Sequence, residues 1–107
     1  MTDDIEMQCS ELSTRLRAGD DIFLLDVRQP WECSLARIDG SVMITLQTLP
    51  ARLMEIPRDR EVVAYCHHGM RSLMAAQFLR QEGIRARSLT GGIDHWSIAV
   101  DSTTPRY

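Results

Sequence analysis

The chain has 107 residues, 44% hydrophobic and 25% charged, with a formal net charge of −3, which fits one compact domain spanning 1–107 with a modest core. The negative balance argues against bulk nucleic-acid binding, which needs a basic face, and no apolar run approaches the ~18 residues of a membrane-spanning helix. Lys and Asn are absent, which removes a Schiff-base lysine, a P-loop lysine and a Cys-His-Asn protease triad.

The opening "MTDDIEMQCSEL" is acidic and lacks the basic start and apolar core of a signal peptide, so a cytoplasmic location is expected. Over 5–18, Ile5, Cys9, Leu12 and Leu16 fall at helical spacing with Gly19 as a stop, predicting an amphipathic helix. "DIFLLDV" (21–27) predicts a buried strand. Pro30 can start a short helix, and "SVMITL" (41–46) predicts a second short strand. "LPARLMEI" (49–56) reads as a short helix between Pro50 and Pro57. "REVVAYC" (60–66) predicts a strand and "SLMAAQFLRQEG" (72–83) a helix, with Met74, Ala75, Phe78 and Leu79 on one face and Gly83 as its cap. "IRARSL" (84–89) gives a further strand, "TGGIDHWSIAV" a Gly-Gly turn and a short helix, and "DSTTPRY" an irregular tail. Three widely spread cysteines, Cys9, Cys33 and Cys66, suit reduced thiols better than a disulfide framework. With no long exposed apolar face in the pattern, a monomer is the default.

Strands alternating with helices predict an α/β architecture: a central, mainly parallel sheet flanked by helices. Ligands of such sheets sit beyond the carboxyl ends of the strands. Cys66 ends one predicted strand, and Asp26 and Arg28 end another. Parallel neighbours would bring both places to one crevice.

The chemistry concentrates in "CHHGMRS" (66–72), a strand–loop–helix junction. A helix starting near Ser72 would aim its free N–H groups and dipole at the loop, favouring negative charge. Gly69 permits a tight turn, Arg71 adds a fixed cation, and no acid lies between residues 62 and 81. Residues 52–87 carry seven arginines against four acids, whereas 1–51 carry four against nine; the contrast weakly favours an anionic ligand at the loop. Such surroundings are expected to hold Cys66 as its reactive thiolate. Cys9, expected on a helix's apolar face, and Cys33 read as structural thiols.

Two other chemistries compete for the loop. Contiguous Cys66, His67 and His68 make an awkward metal set, because tetrahedral sites usually leave two or more residues between paired ligands; no metal or other cofactor is expected, and the histidines are expected either to line the pocket mouth or simply to expose their polar rings. Cysteine phosphatases also close an anion-cradling loop with arginine, but with five residues between the two. Here four separate Cys66 from Arg71, a cradle expected to be too small for a phosphate ester.

"LLDVRQPWE" (24–32), "RIDGSVMI" (37–44), "VVAYCHHGMRS" (62–72) and "LTGGIDHWS" (89–97) together resemble the rhodanese (thiosulfate sulfurtransferase-like) family in its single-domain form. The resemblance implies a small rhodanese-like α/β domain in which Cys66 takes a sulfane sulfur as a persulfide and passes it to a thiophilic acceptor. It implies a small anionic donor such as thiosulfate, with a sulfur-donor or acceptor protein as a second kind of partner. Under it, His67, His68, Gly69, Met70, Arg71 and Ser72 form the active-site loop, and Asp26, Arg28 and Glu32 brace that loop through hydrogen bonds and ion pairs. Met70 is expected either at the pocket mouth or as apolar filler, and Trp96 packed under the last helix. One departure stands out: where the family often has His-Ile-x-Gly-Ala, this chain reads "RIDGS", with Arg37 and Ser41, leaving local hydrogen bonding there open.

Overall fold

Residues 4–107 are described by the computed structural model; the first three residues of the acidic opening stretch lie outside them. In chain order come β1 (Glu6–Met7), α1 (Cys9–Arg17), β2 (Ile22–Asp26), α2 (Pro30–Leu35) and β3 (Val42–Met43). Two 3-10 segments follow (Leu46–Thr48 and Pro50–Glu55), then β4 (Glu61–Tyr65), α3 (Met70–Gln81), β5 (Ala86–Leu89) and α4 (Gly92–Ala99). The strands form one sheet in the order β1-β5-β4-β2-β3, parallel at every pairing. This is the α/β architecture that the alternation of periods implied. No helix among the described residues is long and apolar enough to cross a membrane.

The pleat divides the core. Val62, Ala64 and Cys66 face one side with Leu25 and Val27, where Ala75, Ala76 and Leu79 of α3 and Leu49 and Ile56 of the 3-10 region cover them. Val63 and Tyr65 face the other side with Ile22 and Leu24, under Leu12 of α1 and Ile93 and Trp96 of α4. β4 is buried on both faces, so its residues read as a continuous apolar run without alternation. Asp26 lies directly opposite Tyr65 in the β2–β4 register. The segments that follow these two residues therefore leave the sheet at the same edge.

Three local expectations are corrected. The helix predicted over 5–18 begins only at Cys9, because Glu6 and Met7 are drawn into edge pairing with Ser88 and Leu89. Ser88 N donates to Ile5 O at 2.7 Å and Thr90 N to Met7 O at 2.9 Å, ladder bonds that outweigh a weak helical preference. The segment at 50–55 is a 3-10 helix interrupted at Arg52 (φ −112°, ψ 18°). On α3, Met74 is 53% exposed, and the buried stripe is Ser72, Ala75, Ala76 and Leu79. That stripe keeps helical spacing but admits a serine.

The 101–107 segment carries no helix or strand and runs back along α4. Ser97 Oγ donates to Thr104 O, and Arg106 pairs with Asp94 at 2.9 Å.

Candidate active site

Cys66 is the first residue past β4 and is 1% exposed. The chain turns at Gly69, whose φ of 112° suits glycine, and α3 begins at Met70, two residues before the predicted start. That turn aims two backbone N–H groups at the sulfur. Gly69 N donates to Cys66 Sγ at 3.1 Å and Ser72 N at 3.4 Å. Ser72 Oγ stands 3.5 Å from Sγ, donates to Gly69 O and shares a 2.7 Å hydrogen bond with Ser88 Oγ of β5. The buried serine on α3 is thus satisfied by a serine from the neighbouring strand. Among the described residues, Cys66 alone of the three thiols receives backbone N–H groups on its sulfur.

The other two cysteines are donors. Cys9 Sγ lies 3.7 Å from Thr90 O, and burial pushes its thiol up to about 11. Cys33 Sγ donates to Asp26 Oδ2 at 3.2 Å; burial first, then that hydrogen bond, push it up to about 11. Both remain protonated near neutral pH.

The loop's carbonyls are held from the opposite side of the sheet edge. Ile93 N donates to Cys66 O at 2.9 Å and Asp94 N to His67 O at 3.1 Å. The first turn of α4 therefore clamps the backbone that carries the thiol. Gly92 (φ 61°) makes the approach feasible, since a Cβ there would sit 2.4 Å from both Cys66 O and His67 O. "TGGI" reads in sequence as a turn; its role against the loop depends on a contact 26 residues away in the chain.

Glu32 of α2 reaches the loop from the third side. Arg71 binds it in fork geometry, Nη1 to Oε1 at 2.6 Å and Nη2 to Oε2 at 2.9 Å. Gln29 N adds a bond to Oε1 and Tyr107 OH one to Oε2. Glu32 is 3% exposed. Arg71 above all, then Gln29 and Tyr107, hold its carboxyl down at about 2 against the cost of burial. A carboxyl whose folded value lies below its ordinary 4.5 contributes stability above 4.5 and loses it as pH falls toward 2. Urea unfolding followed between pH 5 and 2 is therefore expected to show a decline that Glu32→Gln flattens.

Arg28, fully buried, binds Asp26 with Nε at 2.8 Å and Nη2 at 2.6 Å. It also reaches Ala36 O, Glu32 O and Tyr107 OH. The structure thus brings Asp26, Arg28, Glu32 and Arg71 into one connected network beside Cys66. Around Arg37, which is exposed, Tyr65 supplies the local bonds: its OH donates to Ser41 Oγ at 2.8 Å and accepts from Ile38 N at 3.2 Å.

The histidines lie flat. His67 stacks on His68 and on Tyr107, each at a centroid distance of 4.0 Å. Burial first, then the neighbouring His68, lowers the His67 pKa. Met70 is 73% exposed at the start of α3. His67, His68 and Asp94 can bring one ligand atom each within 4.8 Å of the others. The imidazole planes are only 15° apart and stacked, so their in-plane lone pairs run side by side and do not converge, and Asp94 is shared with Arg106.

Residues 8–99 match the family described as the Rhodanese-like domain. The chain belongs to the rhodanese-like family. A protein named sulfurtransferase from Allochromatium vinosum is 39% identical over 93 residues, covering 86% of this chain and 87% of the relative. The thiosulfate sulfurtransferase GlpE of Pseudoalteromonas translucida is 28% identical, covering 81% of this chain and 84% of its own length. The crystal structure of a rhodanese-related protein from Thermoplasma volcanium superposes with a TM-score of 0.82 at 29% identity, covering 89% and 92% of the two chains. Family membership and these relatives support sulfur transfer as the class of activity.

Proposed function

We propose that this protein takes a sulfane sulfur onto Cys66 as a persulfide and passes it to a thiophilic acceptor such as cyanide or a thiol. The observation that carries this reading is the pair of N–H groups, from Gly69 and Ser72, directed at Cys66 Sγ over the first turn of α3. In the first step the Cys66 thiolate attacks the outer sulfur of a donor such as thiosulfate. The donor's S–S bond breaks, sulfite leaves with the bonding pair, and a Cys66 persulfide anion forms. In the second step the acceptor's lone pair attacks the terminal sulfur, the persulfide S–S bond breaks, and the thiolate returns; cyanide leaves as thiocyanate. No proton donor or acceptor is needed in either step, and ping-pong kinetics follow. The N–H groups and the helix terminus favour negative charge on the sulfur throughout. Arg71 supplies a cation for an anionic donor, and His67, His68, Met70 and Ser72 complete the loop. Asp26, Arg28 and Glu32 act as its braces. A cytoplasmic setting would keep all three thiols reduced.

A second reading, a persulfide carrier served by protein partners, draws on the exposed apolar side chains of Met70 (73%) and Trp31 (61%). One experiment addresses both. Wild type incubated with thiosulfate is expected to gain about 32 Da, one sulfur, by intact-mass measurement, and to turn over cyanide; Cys66→Ser is expected to do neither. Equal turnover in the two proteins overturns the assignment of Cys66. A mass gain without cyanide turnover selects the carrier reading.

A further inference from the structure

We infer that the 101–107 segment is part of the sulfur-transfer site and that Tyr107 is a positioning residue, holding Arg71 toward Cys66 by fixing Glu32. The inference deepens the function proposed above and rests on it. The segment lies outside residues 8–99, which match the shared domain.

Its anchors are specific. Asp101 accepts from Thr103 N and Oγ1, Ser97 Oγ donates to Thr104 O, and Arg106 pairs with Asp94. These fasten the segment along α4 and deliver Tyr107 to the gap between α2 and the Cys66 loop. There the ring lies flat on His67, with planes 14° apart. The hydroxyl donates to Glu32 Oε2 at 2.8 Å and accepts from Arg28 Nη1 at 3.0 Å.

Each carboxylate oxygen of Glu32 thus carries two donors: Arg71 and Gln29 N on Oε1, Arg71 and Tyr107 on Oε2. The second donor on each side fixes the plane of the carboxylate, and a bidentate guanidinium must follow that plane. The Arg71 side chain is 31% exposed against 4% for Glu32, so Glu32 is the fixed partner and Arg71 the one that can swing outward. Arg71 immediately precedes Ser72, whose N–H lies 3.4 Å from Cys66 Sγ, so its guanidinium is carried on the turn that surrounds the sulfur. Loosening Oε2 therefore alters the field at the sulfur without touching the sulfur.

The test separates this role from simple structural support. Cys66 is alkylated with iodoacetate, an anion, and with iodoacetamide, its neutral counterpart, at low ionic strength. Rates are read from the Cys66 peptide and their ratio normalised to that of free cysteine. Wild type is expected to favour the anion. Tyr107→Phe keeps the stacked ring but removes both hydroxyl bonds, and is expected to lower the normalised ratio about threefold. Loosened packing speeds both reagents together and leaves the ratio unmoved. Tyr107→Ala, which also removes the wall beside His67, is expected to speed iodoacetamide as well. In turnover, Tyr107→Phe should raise KM for thiosulfate with kcat within about twofold of wild type. An unchanged ratio in Tyr107→Phe, or no anion preference in wild type, overturns the inference. Because alkylation needs no sulfur transfer, the inference stands or falls even if wild type proves unable to form a persulfide.

Discussion

Gly92→Ala is expected to destabilise the protein by about 3–5 kcal/mol and to abolish sulfur loading in whatever fraction folds. Three costs add. The residue sits at φ 61°, where an L side chain costs about 1–2 kcal/mol. The new Cβ would lie 2.4 Å from Cys66 O and from His67 O, and 2.6 Å from His67 C. These are backbone atoms, so no side chain can swing aside; either the Cys66 loop or the first turn of α4 must move. Either movement opens the bonds from Ile93 N to Cys66 O and from Asp94 N to His67 O, and each buried group left unpaired costs about 1–3 kcal/mol.

Gly40→Ala is the internal control. Its φ of 84° carries the same left-handed penalty, but an added Cβ meets nothing within 4 Å, so about 1–2 kcal/mol is expected. Urea unfolding of both variants gives the comparison, and persulfide formation in Gly92→Ala reads the loop. A Gly92→Ala no less stable than Gly40→Ala would show that α4 does not fix the position of Cys66.

The contrast between these glycines also marks how far the sequence can be read. The apolar run ending in Cys66, and the apolar positions of α3 that follow, placed the thiol at the carboxyl edge of a parallel sheet because both signals are local. β4 announced itself by burial on both faces, and α3 by its helix formers and its spacing. What escaped depends on partners distant in the chain. Glu6 and Met7 look helical until β5 offers them a ladder. Ser72 looks like the polar end of a loop until Ser88 pairs with it under the helix. Arg71 looks like a free cation in a stretch without acids, yet Glu32, 39 residues away, takes both its terminal nitrogens. Gly91 and Gly92 differ from any Gly-Gly turn only through what packs against them, and Tyr107 reaches the site from an irregular tail with no periodic signal. Residue types and local spacing carried the site's chemistry, and the family resemblance named Asp26, Arg28 and Glu32 as braces; which partners each of them binds required the tertiary structure.

Arg28 tests that bracing most severely. Arg28→Met is expected to cost about 3–5 kcal/mol, because it leaves Asp26, 1% exposed, as a buried charge without its partner. The loss goes beyond one ion pair, since Ala36 O, Glu32 O and Tyr107 OH each lose a donor with it. Lysine cannot stand in: its single nitrogen cannot span both Asp26 oxygens while also reaching Ala36 O and Tyr107 OH. Arg28→Lys is therefore expected to lose most of what methionine loses. Pairing Arg28→Met with Asp26→Leu removes the stranded charge, and the double variant should be more stable than the sum of the two single losses predicts, with a coupling of about 2 kcal/mol or more. It should still fall short of wild type, because Arg28 N and Cys33 Sγ lose their bonds to Asp26 while the Arg28 acceptors stay unpaired. Chemical denaturation of the four proteins closes the cycle. Additive losses would mean that Asp26 and Arg28 are stabilised separately, and the link they form from β2 through Glu32 and Tyr107 to the Cys66 loop would lose its energetic basis.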